Sequence, residues 1–102
     1  MAKTLNNLGL ILRDLGQLPE AREQLERALA ISEATFGPQN PEVGKNVNNL
    51  GRVLEKLGDG DKARNCYARA LEIFHNYYGE DHPHTLKVAG YLEALTEGES
   101  GT

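Results

Sequence analysis

His82–Pro83–His84 places two imidazoles either side of a proline, the most metal-like spacing in the chain. A zinc site needs three or four ligands in tetrahedral reach. Only His75 and Cys66 remain as further soft ligands, a helix away or more, so no metal site is expected and the tripeptide reads as a linker and helix cap. Cys66 and His75 have the types of a nucleophile and its base. Nine residues apart on one helix, they stand ~13 Å apart at ~1.5 Å per residue and cannot share a proton. Cys66 then reads as a small, semi-buried helical residue. Asp59–Gly60–Asp61 lacks the length and terminal glutamate of a calcium loop and reads as a turn. No nucleophile, base and orienting group converge, so no catalytic residue is assigned, no cofactor is implied, and the chain is not read as an enzyme.

Charge and composition narrow the partners. A net charge of −4 argues against a general nucleic-acid binder, which needs a concentrated basic surface. No apolar run reaches the ~18 residues of a membrane span, and no charged-then-apolar signal opens the chain. Cys66, the one cysteine, excludes an internal disulfide and fits a reducing, cytoplasmic location.

The elements that would position polar groups follow from periodicity. Asn40 suits an N-cap and Pro41 the first helical position. Val43, Val47, Leu50, Leu54 and Leu57, with Val53 beside them, then line one side of a helix that Gly58 ends. Lys45, Asn48, Arg52 and Glu55 fall on the other side. Leu5, Leu8, Leu12 and Leu15, with Ile11, make the same stripe earlier and stop at Gly16. A helix entered at Pro19–Glu20 is expected to run to about Thr35, with Ala21, Leu25, Ala28 and Leu29 inward and Arg22, Glu23, Glu26 and Arg27 as exposed pairs.

The pattern then repeats. Leu8–Gly9 returns as Leu50–Gly51, Leu15–Gly16 as Leu57–Gly58, Ala21–Arg22 as Ala63–Arg64, Arg27–Ala28–Leu29 as Arg69–Ala70–Leu71, and Pro41 as Pro83. Every offset is 42, and about sixteen of the first 42 positions match their partners, the mark of stacked helical units. The small residues let antiparallel helices approach closely, Gly51 against Ala63 for example. Residues 1–40 form one repeat, 41–82 a second and 83–97 a single capping helix, with 98–102 a disordered tail.

Leu–Gly, Leu–Gly seven on, Ala five further and Ala–Leu seven beyond resembles a tetratricopeptide repeat. The 42-residue period, the Asn–Asn–Leu–Gly runs at 6–9 and 48–51, and the linkers ending at Pro41 and Pro83 resemble the kinesin-light-chain type. The resemblance covers residues 2 to 96 and implies an all-α, right-handed solenoid of five helices that binds protein or peptide. Leu5 and Val47 replace the family's usual early aromatic, and its outer-helix aromatic is Leu25 in one copy and Tyr67 in the other.

In that family the inner helices line a concave groove. The period sets Lys3, Lys45 and Lys87 at one level, then Asn6, Asn48 and Gly90, then Leu10, Arg52 and Ala94, then Arg13, Glu55 and Glu97. Lysines bind carboxylate or phosphate, and an asparagine amide both donates to and accepts from a peptide backbone. Lys3, Asn6, Lys45, Asn48, Arg52 and Lys87 are therefore the candidate peptide-binding residues, for a peptide that carries acidic groups. The competing reading of each is a solvated helix face. Chaperone-binding relatives clamp a terminal carboxylate with a base one turn after the third lysine, where this chain has Tyr91. The rival function is a self-associating scaffold, with copies joined through the unfinished ends of the array.

Overall fold

The computed structural model describes the backbone of residues 2–100 and the side-chain surroundings of 2–96. Five α-helices follow one another, with no strand among the described residues: α1 (Ala2–Asp14), α2 (Leu18–Phe36), α3 (Pro41–Lys56), α4 (Gly60–Tyr78) and α5 (Pro83–Ser100). Each packs on its neighbour in sequence, so α1, α3 and α5 form an inner row and α2 and α4 an outer one. The arrangement is an all-α tetratricopeptide-type solenoid.

Local chemistry sets the ends of α3. The Asn40 side chain accepts from the Glu42 backbone N–H at 2.9 Å, satisfying one of the donors a helix start leaves free. At the other end Gly58 takes φ of +88°, which lets its N–H reach Glu55 O at 3.1 Å and the Asp59 N–H reach Leu54 O at 2.9 Å. Asp59 then caps α4, accepting from the Lys62 N–H at 3.2 Å. One tripeptide thus ends one helix and starts the next. α2 extends one or two residues beyond its expected limits, from Leu18 to Phe36, and its Arg22 meets Glu26 at 3.6 Å.

α3 carries the core because only it has an outer helix on each side. Val43, Val47, Leu50, Val53 and Leu54 are buried, against Ala21, Leu25 and Ala28 of α2 on one flank and Ala63, Tyr67, Ala70, Ile73 and Phe74 of α4 on the other. Burying a side chain of this size contributes about 1.5–3 kcal/mol. The missing side chain at Gly51 is what admits α4. The nearest atoms to a Cβ there would be Tyr67 Cε1 at 2.9 Å and Cys66 Cβ at 3.1 Å, so the crossing is centred about one turn beyond the expected Ala63. Gly9 plays the same part against Leu25 of α2.

The stripe of α1 is only partly covered. Leu8, Ile11 and Leu15 are 41, 56 and 67 % exposed, whereas their counterparts Leu50, Val53 and Leu57 are 6, 0 and 37 %. The difference is the outer helix: α2 covers Leu50 and Val53, and no helix among the described residues stands in that place beside α1. At the other end α5 continues to Ser100, so residues 98–100 prolong the helix where a tail is expected from Gly98. Gly98 stays within the helix because a lone glycine disfavours helix by only ~1 kcal/mol. Gly101 and Thr102 lie outside the described residues.

Candidate functional site

The inner row positions the lysines and asparagines together. A hollow of about 670 Å³ lies between α1 and α3 over the end of α2, with Lys3, Asn6, Lys45 and Asn46 in its wall. A second, of about 200 Å³, lies between α3 and α5 and is walled by Asn6, Lys45, Asn48, Asn49, His84 and Lys87. Asn6 and Lys45 belong to both. Five of the six candidate residues therefore line two adjoining hollows on the inner face, and Arg52 lines neither.

The asparagines divide by whether their side-chain amides are paired within the chain. Asn46 is buried and donates through Nδ2 to Ser32 Oγ at 2.6 Å and to the Ala28 carbonyl at 3.3 Å, tying α3 to α2. Asn49 Nδ2 donates to Asn6 Oδ1 at 3.0 Å, tying α3 to α1. Asn48 differs: its Oδ1 is buried and has no hydrogen-bond partner. A buried polar atom left unpaired costs about 1–3 kcal/mol. Lys45 is held by Glu42 at 3.4 Å, while Lys3 and Lys87 are exposed.

Arg52 is half-buried and held across the α3–α5 junction. Its Nη1 donates to Tyr91 Oη at 2.6 Å and its guanidinium carbon lies 4.5 Å from the centre of that ring. The Tyr91 ring in turn stands 5.6 Å from Tyr67, whose hydroxyl donates to Glu55 Oε1 at 2.7 Å. Burial first, and then the Glu55 carboxylate, push the Tyr67 phenol well above its ordinary value. This chain of four residues braces α3, α4 and α5, so Tyr91 does packing work where a clamp would place a base.

Of the remaining ladder positions, Arg13 pairs with Asp14 at 3.2 Å, Leu10 is half-buried and Ala94 exposed, and the Glu97 side chain lies outside the described residues. His82 stacks on Tyr78 with ring centres 4.0 Å apart, and its Nδ1 accepts from the His84 backbone N–H at 3.1 Å. The two imidazoles thus serve the α4–α5 linker. Among the described residues no three His, Cys, Asp or Glu side chains are grouped to hold a metal ion. Cys66 is half-buried, and burial raises its thiol pKa against the opposing pull of Arg69. No helix among them is long and apolar enough to cross a membrane.

Sequence reasoning missed Asn46 and Asn49, and it read His84 as a linker residue without placing it in the wall of the hollow. Asn49 was within reach, since Asn6–Asn7 and Asn48–Asn49 recur at the 42-residue offset. It also missed an apolar hollow of about 460 Å³ between α4 and α5, bounded by Leu71, His75, Thr85, Ala89 and Leu92.

The tetratricopeptide-repeat family model matches residues 1–59 and 45–97. Among solved structures, BtubC (BKLC) from P. vanneervenii is similar over 96 % of this chain at 26 % identity, with a TM-score of 0.90. A putative kinesin light chain from P. anserina, with nearly identical TPR-like repeats, is similar over 97 % at 21 % identity, with a TM-score of 0.84. The matched regions are 39 and 47 % of those two chains, so this sequence spans less than half of either. No curated protein sequence matches the chain. With the matches running from residue 1 to residue 97 and a kinesin-light-chain-type fold around them, the chain belongs to the tetratricopeptide-repeat family.

Proposed function

We propose that this chain is a non-catalytic module that binds an extended peptide bearing acidic residues along its inner face. The observation that carries this reading is Asn48, whose side chain lines a hollow walled by Lys45 and Lys87 and whose buried amide oxygen has no partner within the chain. An amide oxygen accepts from a backbone N–H, and the flanking ammonium groups attract carboxylates. Adjacent inner helices ~8–10 Å apart would set neighbouring lysines about three residues apart on a peptide rising ~3.3 Å per residue. Lys3 and Asn6 extend the same track onto α1. Arg52 plays an indirect part, since Tyr91 holds it. A cytoplasmic setting fits the free thiol of Cys66.

The test is a peptide selected from a random library on the immobilised domain, then measured against the Lys45→Ala/Lys87→Ala double variant over a salt series. Weaker binding and a shallower salt slope in the variant support the groove. Equal affinity and equal slope reduce the lysines to a solvated face.

A second reading, self-association, has the bare stripe of Leu8, Ile11 and Leu15 in its favour. Both ends of the array are inner helices. A copy added end to end would set α1 beside α5 without the outer helix that fills every internal junction. Pairing of α1 with α1 about a two-fold axis is the closed alternative and gives a dimer, not a filament. Light scattering across a concentration series, with Ile11→Lys as the disrupting variant, separates this from a monomeric module.

A further inference from the structure

We infer that the hollow between α3 and α5 is a subsite for one doubly charged side chain, a phosphate monoester on the bound peptide, with His84 as a third contact beside Lys45 and Lys87. This rests on the groove reading above. Its warrant is the wall of the hollow: two lysines, one histidine and three asparagines, with no carboxylate, in a chain whose net charge is −4. Glu42 already takes part of the Lys45 charge at 3.4 Å, which leaves the Lys87 ammonium and the His84 ring facing the hollow. A single carboxylate is matched by Lys87 alone. A phosphate monoester carries about −1.5 to −2 charges at pH 7, so it pairs with Lys87 and draws a proton onto His84.

The surroundings of His84 make the site sensitive to protons. It is flanked by His82 and Lys87 from its own segment and by Lys45 from α3, with the rings of Phe74 and Tyr78 from α4. Partial burial, then His82, Lys45 and Lys87, lower its proton affinity below the ordinary value, so the ring takes up a proton less readily than a free imidazole. A bound dianion reverses the sign of that field and favours the imidazolium. Affinity for a phosphate monoester should therefore rise as pH falls from 8, then decline as the ester protonates below its second pKa of about 6. Affinity for a carboxylate should keep rising until that group protonates near ~4.

The experiment follows the His84 ring resonances by NMR while N-acetyl-phosphoserine methylamide, or its aspartate counterpart, is titrated into the intact chain. Expected are saturable shifts at His84, none at His75, which lies outside the hollow, and binding of phosphoserine about tenfold tighter than aspartate, as one further charge-assisted hydrogen bond provides. Lys87→Ala should abolish the preference, and the His84 proton-binding midpoint should rise at saturation. Equal affinity for the two probes, a matching shift at His75, or no saturation overturns the inference. The groove reading is scored separately, by whether the library-selected peptide moves the Asn48 side-chain amide. A peptide that does so while phosphoserine leaves His84 unmoved sinks the subsite and keeps the groove. A response at His84 with no peptide ever moving Asn48 overturns the placement of the phosphate on a groove-bound peptide.

Discussion

Asn46 and Ser32 meet at 2.6 Å across the α2–α3 junction, and at the next junction their period-mates are Val88 and Phe74. Both pairs are buried. The array thus solves one packing position twice, once with a satisfied polar pair and once with an apolar one.

That equivalence predicts a non-additive mutant cycle. Asn46→Ala should lower stability by about 1–3 kcal/mol, because it leaves Ser32 Oγ and the Ala28 carbonyl without their buried donor. Replacing both partners, with Asn46→Val and Ser32→Ala, should cost less than the two single changes summed. Urea unfolding of the four proteins measures the cycle, and simple additivity would argue against the pairing.

The glycines offer opposite signs within one fold. At Gly51 a Cβ would stand 2.9 Å from Tyr67 Cε1, so Gly51→Leu should overpack the crossing and cost ~1–3 kcal/mol. Gly90 lies on an exposed face of α5 with nothing within 4 Å of its Cβ position. Gly90→Ala should stabilise by ~0.5–1 kcal/mol through helix propensity alone. Thermal midpoints that move in the same direction for both would contradict this packing.

Tyr91→Phe keeps the ring over Arg52 and removes only the acceptor hydroxyl. It should cost about 1.5–3 kcal/mol if the bond is sheltered, and less to the extent that water replaces it. Tyr91→Ala should cost more, because the contact with Tyr67 goes too. Chemical denaturation of both variants gives the order.

Tyr67 predicts an alkaline limb. Its phenol pKa is raised in the fold, so the neutral form is the one the native state favours. The contribution is complete below the unfolded value of about 10 and is lost as pH climbs above it towards the folded value. Stability should therefore fall above pH 10, and Tyr67→Phe should flatten that fall. A decline of the same steepness in the variant would assign it to other groups.

Much of the fold was legible because its signals are local. Asn40, Pro41 and Gly58 act within a few residues of themselves, and the alternating three- and four-residue spacing of Val43 to Leu57 needs no knowledge of the neighbour. The partner of Gly51 was not legible, since the level at which two helices cross depends on their relative slide and not on either stripe alone; Gly9 meets Leu25 at the same register as Gly51 meets Tyr67. The exposure of Ile11 was equally hidden: its residue type matches Val53, and only the presence of an outer helix separates them. In the groove, the register of Lys3, Lys45 and Lys87 could be read from the period. The capture of Arg52 by Tyr91, 39 residues away, depends on side-chain reach between two helices and leaves no mark in the pattern.

The central claim is that the inner face holds a peptide backbone at Asn48, and side-chain amide NMR tests it most directly. On titration of the library-selected peptide into isotope-labelled protein, the account predicts saturable shifts of the Asn48 amide, with smaller ones at Asn6 and Asn49, and weaker binding to Asn48→Ala although its stability is not lowered. Shifts confined to Leu71, Ala89 and Leu92 around the α4–α5 hollow, with Asn48 unmoved, would contradict it.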